Sequence, residues 1–143
     1  MTTDILRGQA QRMTSIEIDP RLAAALKRRM QGTNVTVVEG DATAMPFADG
    51  SFSSAVSFTM LHHVPSPALQ DRLLAEVYRV LKPGGVFAGS DSRWSMGFHL
   101  IHLWDTMMIV EPETFAERLA AGGFTEVSVD VAKRAFRFRA RRP

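Results

Sequence analysis

The 143 residues predict an α/β fold: a mostly parallel sheet wrapped by helices and closed on one side by a C-terminal antiparallel hairpin. Two observations carry this expectation. Short β-branched runs alternate with helical patterns of about 10–15 residues, the signature of parallel strands joined by crossover helices. The last two apolar runs, "TEVSVDV" and "AFRFRA", are only three residues apart, which suits a hairpin and excludes a crossover.

Each element has its own local reason. Residues 1–12 have weak helical character and little apolar face. "MTSIEI" reads as a strand, and Asp19-Pro20 then starts a helix, with Asp as the N-cap and Pro at the first helical position. That helix, "RLAAALKRRM", places Leu22, Ala25, Leu26 and Arg29 or Met30 along one side and stops at Gly32. "NVTVVEGD" is a β-branched strand. Met45-Pro46 and Asp49-Gly50 mark "ATAMPFADGSF" as a loop. "SSAVSFTML" is the third strand. "SPALQDRLLAEVYRVL" is amphipathic, with Leu69, Leu73, Val77, Val80 and Leu81 at helical spacing, and "KPGG" stops it. "GVFAGSD" is a fourth strand and "EPETFAERLAAGG" a short helix. With no internal repeat and no composition shift, residues 1–143 read as a single domain.

Composition removes several function classes. The absence of cysteine excludes disulfides, thiolate zinc sites and cysteine nucleophiles. A net charge of +2 is too small to require a nucleic acid or another polyanion. The basic end, "RAFRFRARRP", reads as an edge strand, with Phe136 and Phe138 facing inward and Arg137 and Arg139 facing water. The first 12 residues carry Asp4, Arg7 and Arg12, unlike a signal peptide. "FHLIHLWDTMMIV" falls short of the roughly 20 apolar residues of a membrane span. The expectation is a cytoplasmic protein acting on a small molecule, with no membrane and no nucleic-acid partner.

In sheets of this kind ligands bind beyond the carboxyl ends of the parallel strands. Those ends carry Glu17 and Asp19, then Asp41, then the stretch from Phe58 to His63, then the stretch from Ser90 to Ser92. Carboxylates on neighbouring strand ends suit hydroxyls, amino groups or a cation, and suit a free phosphate poorly.

The order "SIEIDP", "VVEGDATAMPFADGSF", "LHHV", "EVYRVLKPGG" and "TFAERLAAGGF" resembles the class I S-adenosylmethionine-dependent methyltransferases, closest to the small-molecule branch. The likeness runs from about Met13 to Arg139. It implies a Rossmann-like three-layer sandwich, S-adenosylmethionine as cofactor, and methyl transfer to a small, apolar acceptor. Carried over by position, the resemblance gives Glu17 the ribose hydroxyls, Ile18 the adenine face and Asp41 the adenine amino group. The Ala42 backbone would read the ring edge, and Phe58, Thr59 and His63 would line the methionine end.

Methyl transfer from a sulfonium needs mainly positioning and field, with a base only where the acceptor must lose a proton. His62, His63 and Asp91 are the candidates, and His63 is the residue assigned. His99, His102 and Asp105, at i, i+3 and i+6, could present metal ligands on one helix face. A single helix supplying a whole site is unusual, so "WSMGFHLIHLWDTMM" reads as a cap over an apolar substrate, and no metal is assigned.

The sequence also departs from the resembled pattern. It contains no GxG, and "ILRGQAQRM" matches at most the tail of the helix that follows the family's glycine loop. Ser53 stands where relatives usually place Asp. The expectation is a methyltransferase fold lacking its first strand and glycine loop. That strand would lie centrally, between "MTSIEI" and "SSAVSF". Either these two strands pair directly, or another chain fills the gap and the protein is a homo-oligomer with residues 13–18 near the interface. The rival functions are a non-catalytic binding or oligomerising module and, more distantly, a nucleic-acid binder using the arginine tail.

Overall fold

A computed structural model describes residues 2–92, 108 and 110–143. The chain divides into two compact units, residues 1–46 and 47–143.

The first unit begins with α1 (Thr2–Leu6) and continues through β1 (Met13–Glu17), α2 (Pro20–Arg29) and β2 (Val35–Glu39). β1 and β2 are parallel, in register from Met13 opposite Val35 to Glu17 opposite Glu39. The cap of α2 is as expected: Asp19 Oδ1 accepts the N–H groups of Arg21 at 2.7 Å and Leu22 at 3.0 Å, and Pro20 follows. Its buried stripe differs from the expected one. Ala23 and Met30 are buried and Leu26 half-buried, whereas Leu22 is 59% exposed. Asn34 ties the preceding segment down, donating from Nδ2 to the carbonyls of Arg7 and Ala10.

The second unit runs β3 (Phe52–Phe58), a 3-10 turn (Leu61–His63), α3 (Pro67–Val80), β4 (Leu81–Ser92), α4 (Pro112–Ala121), β5 (Thr125–Val131) and β6 (Ala135–Arg141). Its strand order is β3-β4-β6-β5, with β3 and β4 parallel and the other two pairings antiparallel. The hairpin turns across residues 132–134, where the Ala132 N–H donates to the Ala135 carbonyl at 2.8 Å.

Two expectations need correction here. β6 is an interior strand, hydrogen-bonded to β4 on one side and β5 on the other, so its arginines do not guard an edge. And α3 ends at Val80, with "KPGG" lying inside β4 and not merely stopping the helix. Main-chain bonds draw that segment into the sheet: Gly84 N–H to the Arg142 carbonyl and Arg142 N–H to the Gly85 carbonyl, both 2.8 Å. Gly84 turns there with φ +78°, which a side chain would strain.

The core of this unit is aromatic. Phe136 and Phe138 from the sheet meet Phe115 of α4, and Phe87 meets Phe138, with Phe87–Phe138 centroids 4.8 Å apart and Phe115–Phe138 5.1 Å apart. All four are buried, as are Leu73, Leu74, Val77 and Val80 of α3. Burying each such side chain contributes about 1.5–3 kcal/mol. Phe138 leaves no room at Gly89, where a Cβ would come within 2.8 Å of its ring and 1.9 Å of the Ser57 carbonyl oxygen. Arg137 and Arg139 point to the other, solvent-facing side of β6, in the expected alternation.

Two arginines fasten α3. Arg79 binds Glu76 through two hydrogen bonds, 2.7 and 2.8 Å, and reaches Asp49 and the Phe47 carbonyl, each at 2.7 Å. The hydrogen bonds to Glu76, then to Asp49, push its guanidinium further into the charged range. Arg142 lies 4.8 Å over the Tyr78 ring and donates to the carbonyls of Tyr78, Arg79 and Leu81, which caps the end of the helix.

Candidate functional site

In the first unit, the parallel pairing of β1 and β2 brings two of the expected carboxylates to the same end of one sheet. Glu17 closes β1 and Asp41 lies two residues beyond Glu39, the register partner of Glu17. Each carboxylate also shapes its own loop. Glu17 Oε1 accepts the Asp19 N–H at 3.0 Å, and Asp41 Oδ1 accepts the Thr43 N–H at 2.7 Å. These bonds fix the carboxylates in place, and Asp41 stays exposed while Glu17 is half-buried. Next to them in the chain are Ile18, 66% exposed, and half-buried Ala42. An isoleucine side chain this open is an apolar surface on which a planar ring can lie.

In the second unit, the end of β3 presents Phe58, 38% exposed, followed by exposed Thr59. Thr59 has φ +48°, a left-handed conformation that costs a side-chain-bearing residue about 1–2 kcal/mol. Its N–H is held by the Ser90 carbonyl at 2.8 Å, so the sheet enforces the conformation.

The turn that follows sorts the two histidines. His63 is exposed. His62 is 3% exposed, and its Nδ1 hydrogen-bonds the buried carboxylate of Asp91. Of the three candidate bases, then, His62 and Asp91 occupy one another and His63 faces outward, its ring centroid 4.2 Å from that of His62.

Gln70 was missed from sequence. It heads the buried stripe of α3, ahead of Leu73, Leu74 and Val77, and donates to the carbonyls of Leu61 at 3.1 Å and Met108 at 2.9 Å. The available signal was an amide standing at an apolar position of a helical repeat.

His99, His102, Asp105 and the cap read around them lie outside the described residues. Among the described residues, no group of three His, Cys, Asp or Glu is placed to hold a metal ion, and no helix is long and apolar enough to cross a membrane.

A family model described as a methyltransferase domain matches residues 1–89, more than half of the chain. The chain belongs to the class I S-adenosylmethionine-dependent methyltransferases. It is 35% identical over 80 residues to the phthiotriol/phenolphthiotriol dimycocerosates methyltransferase of Mycobacterium leprae, a match covering 56% of this chain and 28% of that protein. To the sterol 24-C-methyltransferase of Eremothecium gossypii it is 42% identical over 57 residues, covering 40% of this chain and 14% of that protein. Among solved structures, an S-adenosylmethionine-dependent methyltransferase from Methanosarcina mazei superposes with a TM-score of 0.68 at 19% identity, covering 99% of this chain and 86% of that one. The fold is therefore the Rossmann-like fold of that family. The chain spans only part of the length of such curated relatives, from 12% to 35% across eight of them.

Proposed function

We propose that the protein takes part in methyl transfer from S-adenosylmethionine to a small, apolar acceptor. The observation that carries the reading is the pair of loop-anchored carboxylates, Glu17 and Asp41, at the ends of adjacent parallel strands in a chain of this family. Their chemistry fits a nucleoside: Glu17 accepts from the ribose hydroxyls and Asp41 from the adenine amino group. Ile18 lies against the ring and the Ala42 backbone reads its edge. For the second unit, we assign Phe58 and Thr59 to the methionine end and His63 to the role of base.

Bound S-adenosylmethionine supplies an electrophilic methyl group on a sulfonium that is already a good leaving group. The chain's own residues then orient and desolvate. Where the acceptor carries a proton that must leave, the exposed His63 ring receives it. A sterol, for which one matched relative is named, is an apolar acceptor, which supports that class here.

A second reading rests on the exposed apolar side chains of Ile18, Val56 and Phe58. On it, the protein is a non-catalytic module that binds the nucleoside or assembles with other copies. We place either form in the cytoplasm.

Calorimetry with S-adenosylhomocysteine tests the site. Binding is expected, and Glu17→Ala should weaken it by about 1–3 kcal/mol, the scale of a hydrogen bond to a charged group. Equal affinity in the variant removes Glu17 from the site. Binding without transfer of a labelled methyl group to sterol-like acceptors selects the non-catalytic reading.

A further inference from the structure

The second unit contains a buried polar cluster that the methyl-transfer reading leaves without a task. Asp91, near the end of β4, is 1% exposed. Its Oδ2 accepts the N–H groups of Leu61 at 2.7 Å and His62 at 3.3 Å, and its Oδ1 accepts the Ser92 N–H at 2.6 Å and the His62 Nδ1 contact. A carboxylate serving as acceptor to three amides makes Nδ1 the donor of the fourth bond.

Gln70 clamps the same turn from α3. Its Nε2 donates to the Leu61 carbonyl and the Met108 carbonyl, while its Oε1 accepts from Arg118 Nη1 of α4 at 2.9 Å. The Met108 N–H closes the ring by donating to the His62 carbonyl at 3.0 Å. Both main-chain groups of Leu61 and of His62 are therefore held by side chains or backbone from outside the turn or by the turn itself.

Stability alone does not call for this arrangement. A buried polar or ionic cluster is often matched or bettered by apolar residues of the same volume, and its best-attested use is to select one conformation. The conformation selected here is that of a turn whose Leu61 and His62 are buried, while His63 within it and Thr59 just before it are exposed.

We propose that Asp91, acting through His62 and the Leu61 and His62 amides, is a positioning residue that fixes the turn so that Thr59 and His63 are presented in a single orientation. The proposal rests on the assignment of those two residues to the methionine end.

The test uses the whole 143-residue chain and two readouts, residue-resolved amide exchange and the affinity for S-adenosylhomocysteine. Asp91→Asn keeps the size of the side chain but turns one acceptor oxygen into a donor. Exchange at the Leu61 and His62 amides should quicken roughly tenfold or more, while amides of β6 stay protected, and the affinity should fall by about the same factor. His62→Asn, which returns an amide donor near the place of Nδ1, should keep both properties close to the parent's. His62→Leu should lose both, and this pair decides the matter if Asp91→Asn fails to fold. Unchanged exchange at the turn in a folded Asp91→Asn or His62→Leu overturns the proposal. So does faster exchange with unaltered affinity, since that describes a merely structural clamp. If the parent chain itself binds no S-adenosylhomocysteine, the cofactor assignment fails and the positioning role falls with it, whereas binding by the parent with unchanged turn exchange in the variants overturns the positioning role alone.

Discussion

Thr59 shows how a single residue can carry information that its neighbours do not. At an ordinary position alanine is preferred to glycine, because glycine loses more backbone freedom on folding by about 0.5–1 kcal/mol. At φ +48° the balance reverses, since any Cβ costs about 1–2 kcal/mol there. Thr59→Gly should therefore melt at or above the parent temperature, and Thr59→Ala below Thr59→Gly. Alanine melting higher than glycine would mean that the residue is not held in this conformation in solution. None of this was legible beforehand, because threonine is β-branched and at the end of a strand argues for extended backbone. The strand-end places of Glu17 and Asp41 were legible, since Glu17 closes one short strand and Asp41 stands two residues beyond the next. The burial of His62 against the exposure of His63 was not, because two adjacent histidines look alike until Asp91, on another strand, is brought beneath one of them. Leu22 misled for a simple reason: two overlapping helical stripes fit α2, and the strands beneath selected the one through Ala23 and Met30.

At the scale of elements, periodicity was readable and neighbourhood was not. The alternation in "AFRFRA" gave the inward phenylalanines of β6 correctly, but the order of strands depends on pairings between distant segments. An interior strand raises the stakes. Phe138→Ala removes a ring that touches both Phe87 and Phe115, and should cost about 3–5 kcal/mol. Truncation after Lys133 removes the whole strand between β4 and β5, which should abolish the cooperative unfolding transition of this unit. A truncated chain that melts like the parent would show β6 to be dispensable. Gly89→Ala probes the same packing from the β4 side. With Ser57 O and the Phe138 ring already in the way of a Cβ, β3 and β4 must separate, at about 1–3 kcal/mol or more. A neutral effect in urea denaturation would mean that the two strands are less closely apposed than 1.9 Å implies.

For the molecule as a whole, the strand edges decide what the chain does in company. β1 and β3 stand in different sheets, and among the described residues each is hydrogen-bonded to a strand on one side alone. The edge at β5 is guarded by charge, with Glu126 and Asp130 along it and a register irregularity between Thr125 and Ser128. β3 has no such guard. "FSSAVSF" contains neither charge nor proline, Val56 is 46% and Phe58 38% exposed, and Ser57 Oγ is buried without a hydrogen-bond partner. β1, "MTSIE", is similarly bare until Glu17, with Ile18 exposed just beyond it. Unguarded apolar edges recruit strands from other chains. The expected outcome is therefore a dimer or larger assembly at micromolar concentration, with residues 13–18 and 52–58 protected from amide exchange in it. Val56→Lys, which puts a charge on the bare edge strand, should shift light scattering toward the monomer without unfolding the chain. A well-folded parent monomer over that concentration range would show instead that these edges are tolerated open.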